Sequence, residues 1–552
     1  MGIFLPKKKD FIKVEKVLQT GKTLLLPSLL SYCLSHKKEK FFTTTEKVLQ
    51  AGKTLLLTER TMTMNTTAFE KYESEVRSYC RNFPAVFTKA KDSIIYAEDG
   101  KEYIDFFCGA GALNYGHNND YIKKQIISYL ESDGIIHSLD MFTAAKRDFI
   151  EFFESEILQP RGFDYKIQFP GPTGTNAVEA ALKLARKVKK RNNIFAFMGA
   201  FHGMTLGSLS MTTDRDSRQG AGVCLTDVTH IPTPYMFPDF DVLEYMQTLI
   251  DDDHSGVSKP AAVFIEPVQA DGGIHVFSEE FLKGLREFCT RNDILLVCDD
   301  IQVGSARTGW YFSFERAGIT PDIVTLSKSI GGYGMPFALV LFKPELDVWA
   351  PGEHNGTFRG SQLSMVAAKA GLELMLNNKV EDKVKAQSAI IKEYLDKIAQ
   401  LHEGFEVRGI GFMWGIDCNK VKPDAVSRAI VKECFENGLI VERAGRNNDV
   451  VKLMPPLLAD EATLRKGLEI LVNAVEKVVK EVVEKVVVKE VPVKQEVIKT
   501  VKQASPTVTV YEGDEAIVYV DEKGVAKTPE AKKVIPVVKP NANGMPVIEV
   551  KQ

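Results

Sequence analysis

The chain has 552 residues, with 70 Lys and Arg against 73 Asp and Glu, a formal charge of -3, 44% hydrophobic and 26% charged residues. So balanced a charge excludes a basic nucleic-acid coat or an acidic solvating tail as the dominant theme, and the length leaves room for several domains with a large core. No apolar run approaches the roughly 18 residues of a membrane-spanning helix, and the eight scattered cysteines form no CxxC, which favours a reducing, cytoplasmic setting over a disulfide scaffold or a zinc module.

Residues 1–63 are Lys-rich and carry an imperfect repeat, EKVLQTGKTLLL from Glu15 and EKVLQAGKTLLL from Glu46. Two copies cannot close a solenoid core, and the segment lacks a secretory h-region. It reads as an accessory extension, with organellar targeting an open alternative. Residues 64–125 and 361–478 are expected to form a smaller domain, and 126–360 a larger one. Within the latter, Gly171-Pro172-Thr173-Gly174-Thr175-Asn176 opens a helix from Ala177 to Lys190 whose Val178, Ala181, Leu182, Ala185 and Val188 share one face. Such a Gly/Thr helix start exposes unpaired N–H groups that suit a phosphate, although taken alone an ordinary N-cap is the simpler account.

Next come short apolar runs at 194–197, 262–265, 294–298 and 323–326, the pattern of strands buried on both faces of a mainly parallel sheet in an α/β fold. Ligands in such sheets gather at the carboxyl ends of strands, where the last three runs lead into Glu266, Asp299 and Ser327-Lys328. A carboxylate there needs a cationic partner; Asp299-Asp300 suits a metal, acid/base chemistry or a protonated ring nitrogen, with no third ligand nearby in sequence for a metal. Lys328, followed by small residues, is placed to lose its charge and condense with a carbonyl. A phosphate cradle, a strand-end Asp and a strand-end Lys are the three protein elements that pyridoxal 5′-phosphate uses.

From about Phe69 to Val475 the chain resembles the class III aminotransferases of fold type I. The resemblance rests on Thr173-Gly174-Thr175, Phe201-His202-Gly203, Asp299-Asp300-Ile301-Gln302-Val303-Gly304, Leu326-Ser327-Lys328 and His354-Asn355-Gly356-Thr357-Phe358. It implies a large domain with a seven-stranded-type sheet and a smaller α+β domain. It also implies Lys328 as the residue that carries pyridoxal 5′-phosphate, Asp299 at the ring nitrogen, Gly174 and Thr175 at the phosphate, Phe201 and His202 beside the ring, and Gln302 at the ring hydroxyl. Thr357 would reach the phosphate of a neighbouring subunit, which makes a homodimer the minimum. No metal, nucleic acid or membrane is implied.

Longer phrases, GALNYGHN from Gly111, GPTGTNAVEAALKLAR from Gly171 and FSFERAGITPDIV from Phe312, resemble the members that make L-2,4-diaminobutyrate for ectoine synthesis. Those members transfer the amino group of glutamate to aspartate semialdehyde and release 2-oxoglutarate; ornithine-type or 4-aminobutyrate-type transfer, or an aminomutase, is the alternative. The chain departs from the wider class at Asp271, where Glu is common, at Lys452, where Arg is common, and at Ala306, where Gly is usual. Lys lacks the planar fork of Arg, so for Lys452 a packing role and a substrate-carboxylate role stand level, with Asp271 as its substrate-side companion. His117 and His202 both lie in His/Gly turns, and holding the loop is the simpler reading for each.

Beyond 475 valines recur at helical spacing among Lys and Glu, and after Pro492 the stretch TVTVYEGDEAIVYVDEKG alternates like strands around a turn. A continued terminal helix and then a weakly ordered tail over 479–552 are expected.

Overall fold

The computed structural model describes residues 65–421 and 425–483, and in the tail four short strands. The repeat-bearing N-terminal extension lies outside the described residues. So does most of the tail, where Tyr519–Val520 pairs antiparallel with Ala526–Lys527, and Val537–Pro540 with Pro546–Glu549. The chain divides near Val486, and the tail beyond it is a unit of its own.

In the main unit an antiparallel meander comes first: β1 (Phe87–Lys91), β2 (Ile94–Ala97) and β3 (Glu102–Asp105). Helices α1 (Asp120–Glu131) and α2 (Ala144–Phe153) follow, started by Asn119 and Thr143, whose side chains accept otherwise unpaired first-turn N–H groups. The large sheet is then laid down as β4 (Lys166–Gln168), helix α3 (Gly174–Lys189), β5 (Ile194–Phe197), β6 (Val228–Ile231), helix α4 (Val242–Asp251) and β7 (Ala262–Ile265). The short hairpin β8 (Val268–Gln269) and β9 (His275–Val276) leads to helix α5 (Glu279–Arg291), β10 (Leu295–Asp299), β11 (Ile323–Leu326) and β12 (Leu339–Phe342). The strand order is β4-β12-β11-β10-β7-β5-β6, with β12 the antiparallel member between β11 and β4.

Every residue of β5, β7, β10, β11 and β12 is buried, which is why these runs are apolar throughout rather than alternating. Helix α3 presents Ala177, Val178, Ala181 and Ala185 to the sheet, and small side chains let its backbone lie close. It begins at Gly174, three residues before the first residue expected from its apolar pattern, so Gly174 and Thr175 are themselves its first turn.

The C-terminal part holds helix α6 (Gln362–Asn377), α7 (Val380–Ala399), the hairpin β13 (Glu406–Ile410) and β14 (Met413–Asp417), helix α8 (Val426–Glu436), β15 (Leu439–Ile440), β16 (Glu442–Ala444), β17 (Val450–Leu453) and helix α9 (Glu461–Val478). Helix α9 continues into a wider turn over Val479–Val483, as the valine spacing suggests. Strands β13, β14, β17 and β16 form one antiparallel sheet, and β15 pairs parallel with β3, so the two chain ends of this unit build one structure.

One close approach near the site yields a stability prediction. Gly332 has φ +68, and a Cβ there would lie 2.1 Å from the carbonyl oxygen of Ala367 in α6. Gly332→Ala is therefore expected to cost about 2–3 kcal/mol, read as a lower urea midpoint at unchanged m-value. An unchanged midpoint contradicts it.

Candidate active site

The carboxyl ends of β7, β10 and β11 and the start of α3 converge on a cavity of about 260 Å³. Lys328, Asp299, Gln302, Phe201, His202, Gly174, Thr175 and Asp271 all line it, so eight residues expected from the sequence share one site. Thr357 does not line it; it is exposed, and its carbonyl oxygen meets His137 Nε2 at 2.8 Å.

Lys328 starts a single 3-10 turn directly after β11 and takes φ +53, a left-handed conformation that costs a non-glycine residue roughly 1–2 kcal/mol. Its amine makes no hydrogen bond or ion pair among the described residues. Burial pushes its pKa below the usual lysine value, and the Lys452 charge adds to this, while Asp271 acts in the opposite direction. A buried amine that readily becomes neutral is a nucleophile and a proton carrier.

Asp299 is 4% exposed and well held: Oδ2 meets His202 Nδ1 at 2.7 Å, and Oδ1 accepts from the Thr325 hydroxyl at 3.1 Å and the Ile301 N–H at 3.2 Å. The adjacent Asp300 faces elsewhere, accepting the N–H of Ser313 at 2.9 Å and its hydroxyl, and burial pushes its carboxyl up to about 7. Successive strand residues point to opposite faces, so the pair divides its labour and does not form a shared metal or acid/base site. The His202 ring, 2% exposed, does more than hold its loop: its backbone N–H binds Thr212 Oγ1, but Nδ1 fixes Asp299. His117 does fit the loop-holding reading, with Nε2 2.7 Å from Asp105 Oδ2 and a backbone bridge to Asp92.

At the start of α3 the Thr173 N–H donates to Asn176 Oδ1 at 3.2 Å, an N-terminal cap. The Thr175 hydroxyl lies 2.6 Å from both Thr205 Oγ1 and Ser208 Oγ. The cap reading and the anion reading both apply here, since the capped first turn is part of the cavity wall. Gln302 donates from Nε2 to the Ala110 carbonyl at 3.0 Å. Lys452 is 1% exposed and lies 2.6 Å from Asp271 Oδ1, 2.6 Å from Glu442 Oε1 and 3.5 Å from Gln302 Oε1. Ala306 keeps φ +69, so alanine occupies the left-handed position where glycine is usual, and the neighbouring Arg307 still reaches the Phe412 carbonyl at 3.2 Å and Asn114 Oδ1 at 2.5 Å.

Two site residues carry weight that the motifs did not assign. Glu266, the first residue after β7, accepts the Phe201 N–H at 2.9 Å; burial first, and then the Asp299 charge, push its carboxyl well above the ordinary range. Its place after an apolar strand was the available signal. Glu442 gives none, because its partner Lys452 is brought to it only by the β16–β17 register.

The profile of the family described as aminotransferase class-III matches residues 76–475. The chain belongs to the class III aminotransferases. A diaminobutyrate–2-oxoglutarate transaminase of Sporosarcina pasteurii is 51% identical over 414 residues, 75% of this chain and 97% of that protein. One of Halalkalibacterium halodurans is 50% identical over 74% of this chain and 96% of its own length. Among solved structures, an ornithine aminotransferase from Toxoplasma gondii superposes with TM-score 0.66 at 24% identity, over 75% of this chain and 94% of that one, and a transaminase from Virgibacillus with TM-score 0.68 at 20% identity, over 75% and 98%. These likenesses carry the fold, which is the fold type I arrangement.

The cofactor of class III aminotransferases is pyridoxal 5′-phosphate, and the residues present fit it. The cavity offers a buried amine that makes no ion pair among the described residues, a carboxylate held by three donors, and a helix start flanked by hydroxyls.

Proposed function

We propose that this class III aminotransferase moves the amino group of L-glutamate to L-aspartate 4-semialdehyde, giving L-2,4-diaminobutyrate and 2-oxoglutarate, the reaction that opens ectoine synthesis. The observation that carries the reading is identity of about half over nearly the whole length of relatives named for that reaction. The cavity built on Lys328 and Asp299 supplies the chemistry it needs.

When bound, pyridoxal phosphate supplies a carbonyl that takes up the amine and a ring that withdraws electrons as the substrate C–H proton leaves. In this reading the chain does the rest. Lys328 Nζ would hold the cofactor and, once free of it, would move the proton at the substrate carbon as general base and acid. Asp299, aimed by His202, Thr325 and the Ile301 N–H, holds a negative charge against the ring nitrogen and so favours its protonated form. The first turn of α3 and the Thr175 hydroxyl would hold the phosphate, Phe201, its backbone pinned by Glu266, would pack on the ring, and Gln302 would meet the ring hydroxyl. Domains would follow the lines of the sequence, a large one over 126–360 and a small one from 64–125 with 361–478.

Thr357 belongs in this reading to the partner's cavity. Its loop carries Phe358, 67% exposed, and Met141 and Phe142 are also exposed, which is the kind of apolar surface that a second copy would cover. A homodimer, cytoplasmic and with reduced thiols, is accordingly proposed; the seven described cysteines are all free, and no described helix is long and apolar enough to cross a membrane.

Incubation with glutamate and aspartate semialdehyde is expected to give equal amounts of 2-oxoglutarate and 2,4-diaminobutyrate by mass spectrometry. Amino transfer to the semialdehyde without 2-oxoglutarate release would indicate an aminomutase. Efficient use of ornithine or 4-aminobutyrate in preference to diaminobutyrate in the reverse direction would overturn the substrate assignment.

A further inference from the structure

Behind Lys328 lies a group of two acids and one base, of which Lys452 and Glu442 are buried and Asp271 is partly accessible. Lys452 on β17 stands in register with Glu442 on β16, and Asp271 enters from the loop after β8. Burial opposes the charge on Lys452, but Asp271 and Glu442 outweigh it and hold its amine above the ordinary lysine range. Asp271 stays ionised because Lys452 and Lys328 outweigh its burial. Burial pushes Glu442 upward and the Asp271 charge adds to this, against the pull of Lys452. The group therefore holds one fixed cation and has capacity for two anions.

The contacts show which atoms are committed. Lys452 Nζ donates to Asp271 Oδ1 at 2.6 Å, pairs with Glu442 Oε1 and lies 3.5 Å from Gln302 Oε1, so it faces these protein oxygens and is not part of the cavity wall. Asp271 Oδ1 is taken by Lys452, whereas Oδ2 makes no hydrogen bond or ion pair among the described residues. The Asp271 side chain is 35% accessible and forms part of the cavity wall with Lys328. A guanidinium at position 452 could engage both Asp271 oxygens through its planar fork; an ammonium engages one and leaves the other open.

We propose that Asp271, backed by Glu442 across Lys452, binds the distal ammonium of an amino acid whose terminal nitrogen reacts at Lys328. This rests on the reaction proposed above, and it assigns the α-ammonium of L-2,4-diaminobutyrate, and of the semialdehyde that precedes it, to Asp271 Oδ2. The two nitrogens of that diamine are joined by a three-carbon bridge, so a carboxylate beside Lys328 meets the second while the first reacts. Arrival of the ammonium gives the group two cations for two carboxylates. Lys452 is thereby a positioning residue that never touches substrate.

The test compares L-2,4-diaminobutyrate with 4-aminobutyrate, which differs only in lacking the α-ammonium. With wild-type holoenzyme and 2-oxoglutarate as acceptor, kcat/KM is expected to favour diaminobutyrate by about 10²–10³-fold, as a site built to bond a polar group rejects the analogue without it. Asp271→Asn is expected to lower that ratio by about 30-fold or more, mainly through the KM of diaminobutyrate, and Glu442→Gln by a smaller factor in the same direction. A spectral titration of each holoenzyme with the two amines should show the same change in relative affinity. Equal losses for both amines in both variants would overturn the assignment and leave Asp271 a structural residue. Should Asp271→Asn not fold, an unchanged ratio in Glu442→Gln overturns it alone. A wild-type enzyme that accepts glutamate but not diaminobutyrate would instead remove the reaction itself, a failure with a different signature.

Discussion

Replacing Lys328 by alanine is expected to lower turnover by about 10⁴-fold or more while leaving the fold in place. The size follows from the number of tasks assigned to one amine: covalent attachment of the cofactor, release to the incoming substrate, and proton transfer between two carbons. None of the neighbours can take these over. Glu266 is tied to the Phe201 N–H, Lys452 is occupied by two carboxylates, and His202 is turned to Asp299. Alanine also accepts the left-handed backbone of position 328 no worse than lysine does, so stability should change little; the urea midpoint is the control. Substantial residual transamination at steady state, together with the spectrum of the wild-type holoenzyme, would refute the role.

Asp299→Asn is expected to lower kcat by about 10²–10³-fold with a much smaller change in substrate KM, because it removes a charge aimed at the point where electron density is drawn in the transition state. Shape is nearly conserved, and that makes the variant informative. The Thr325 hydroxyl and the Ile301 N–H can still be accepted by the amide oxygen, but the amide NH2 then replaces the carboxylate oxygen that meets His202 Nδ1. Weaker retention of the cofactor on dialysis should accompany the rate loss. A kcat within threefold of wild type would show that the ring nitrogen does not depend on this carboxylate.

Much of this was legible in the sequence because the large sheet is buried on both faces. Strands that cannot alternate appear as pure apolar runs, and the polar residues within two positions of a run's end fall at the cavity; Glu266, Asp299 and Lys328 could be located that way. The start of α3 was legible for a similar local reason, a Gly/Thr turn ahead of an amphipathic pattern. The contacts that decide substrate choice were not. Glu442 and Lys452 meet through strand register, and Asp271 reaches them from a part of the chain about 180 residues earlier, which no local pattern encodes. Nor does a local pattern announce the turn Cys108–Gly111, where four successive residues take positive φ, two of them not glycine, and bring the Ala110 carbonyl to Gln302. His202 shows the same limit: its loop was readable, but its ring partner lies 97 residues away.

The pairing of β3 with β15 has a consequence for how the chain is made. Beside it, the Lys101 ammonium bonds to the Glu436 carbonyl across 335 residues. At a synthesis rate of about 5–20 residues per second, the edge of the β1–β3 meander waits for roughly 20–60 seconds before its partner strand leaves the ribosome. During that interval the large sheet can complete itself, while the exposed edge of β3 offers unpaired backbone groups to any passing strand. Nascent chains of this enzyme should therefore depend on holding chaperones at one particular stage, after the sheet is finished at Phe342 and before Leu439–Ile440 emerge.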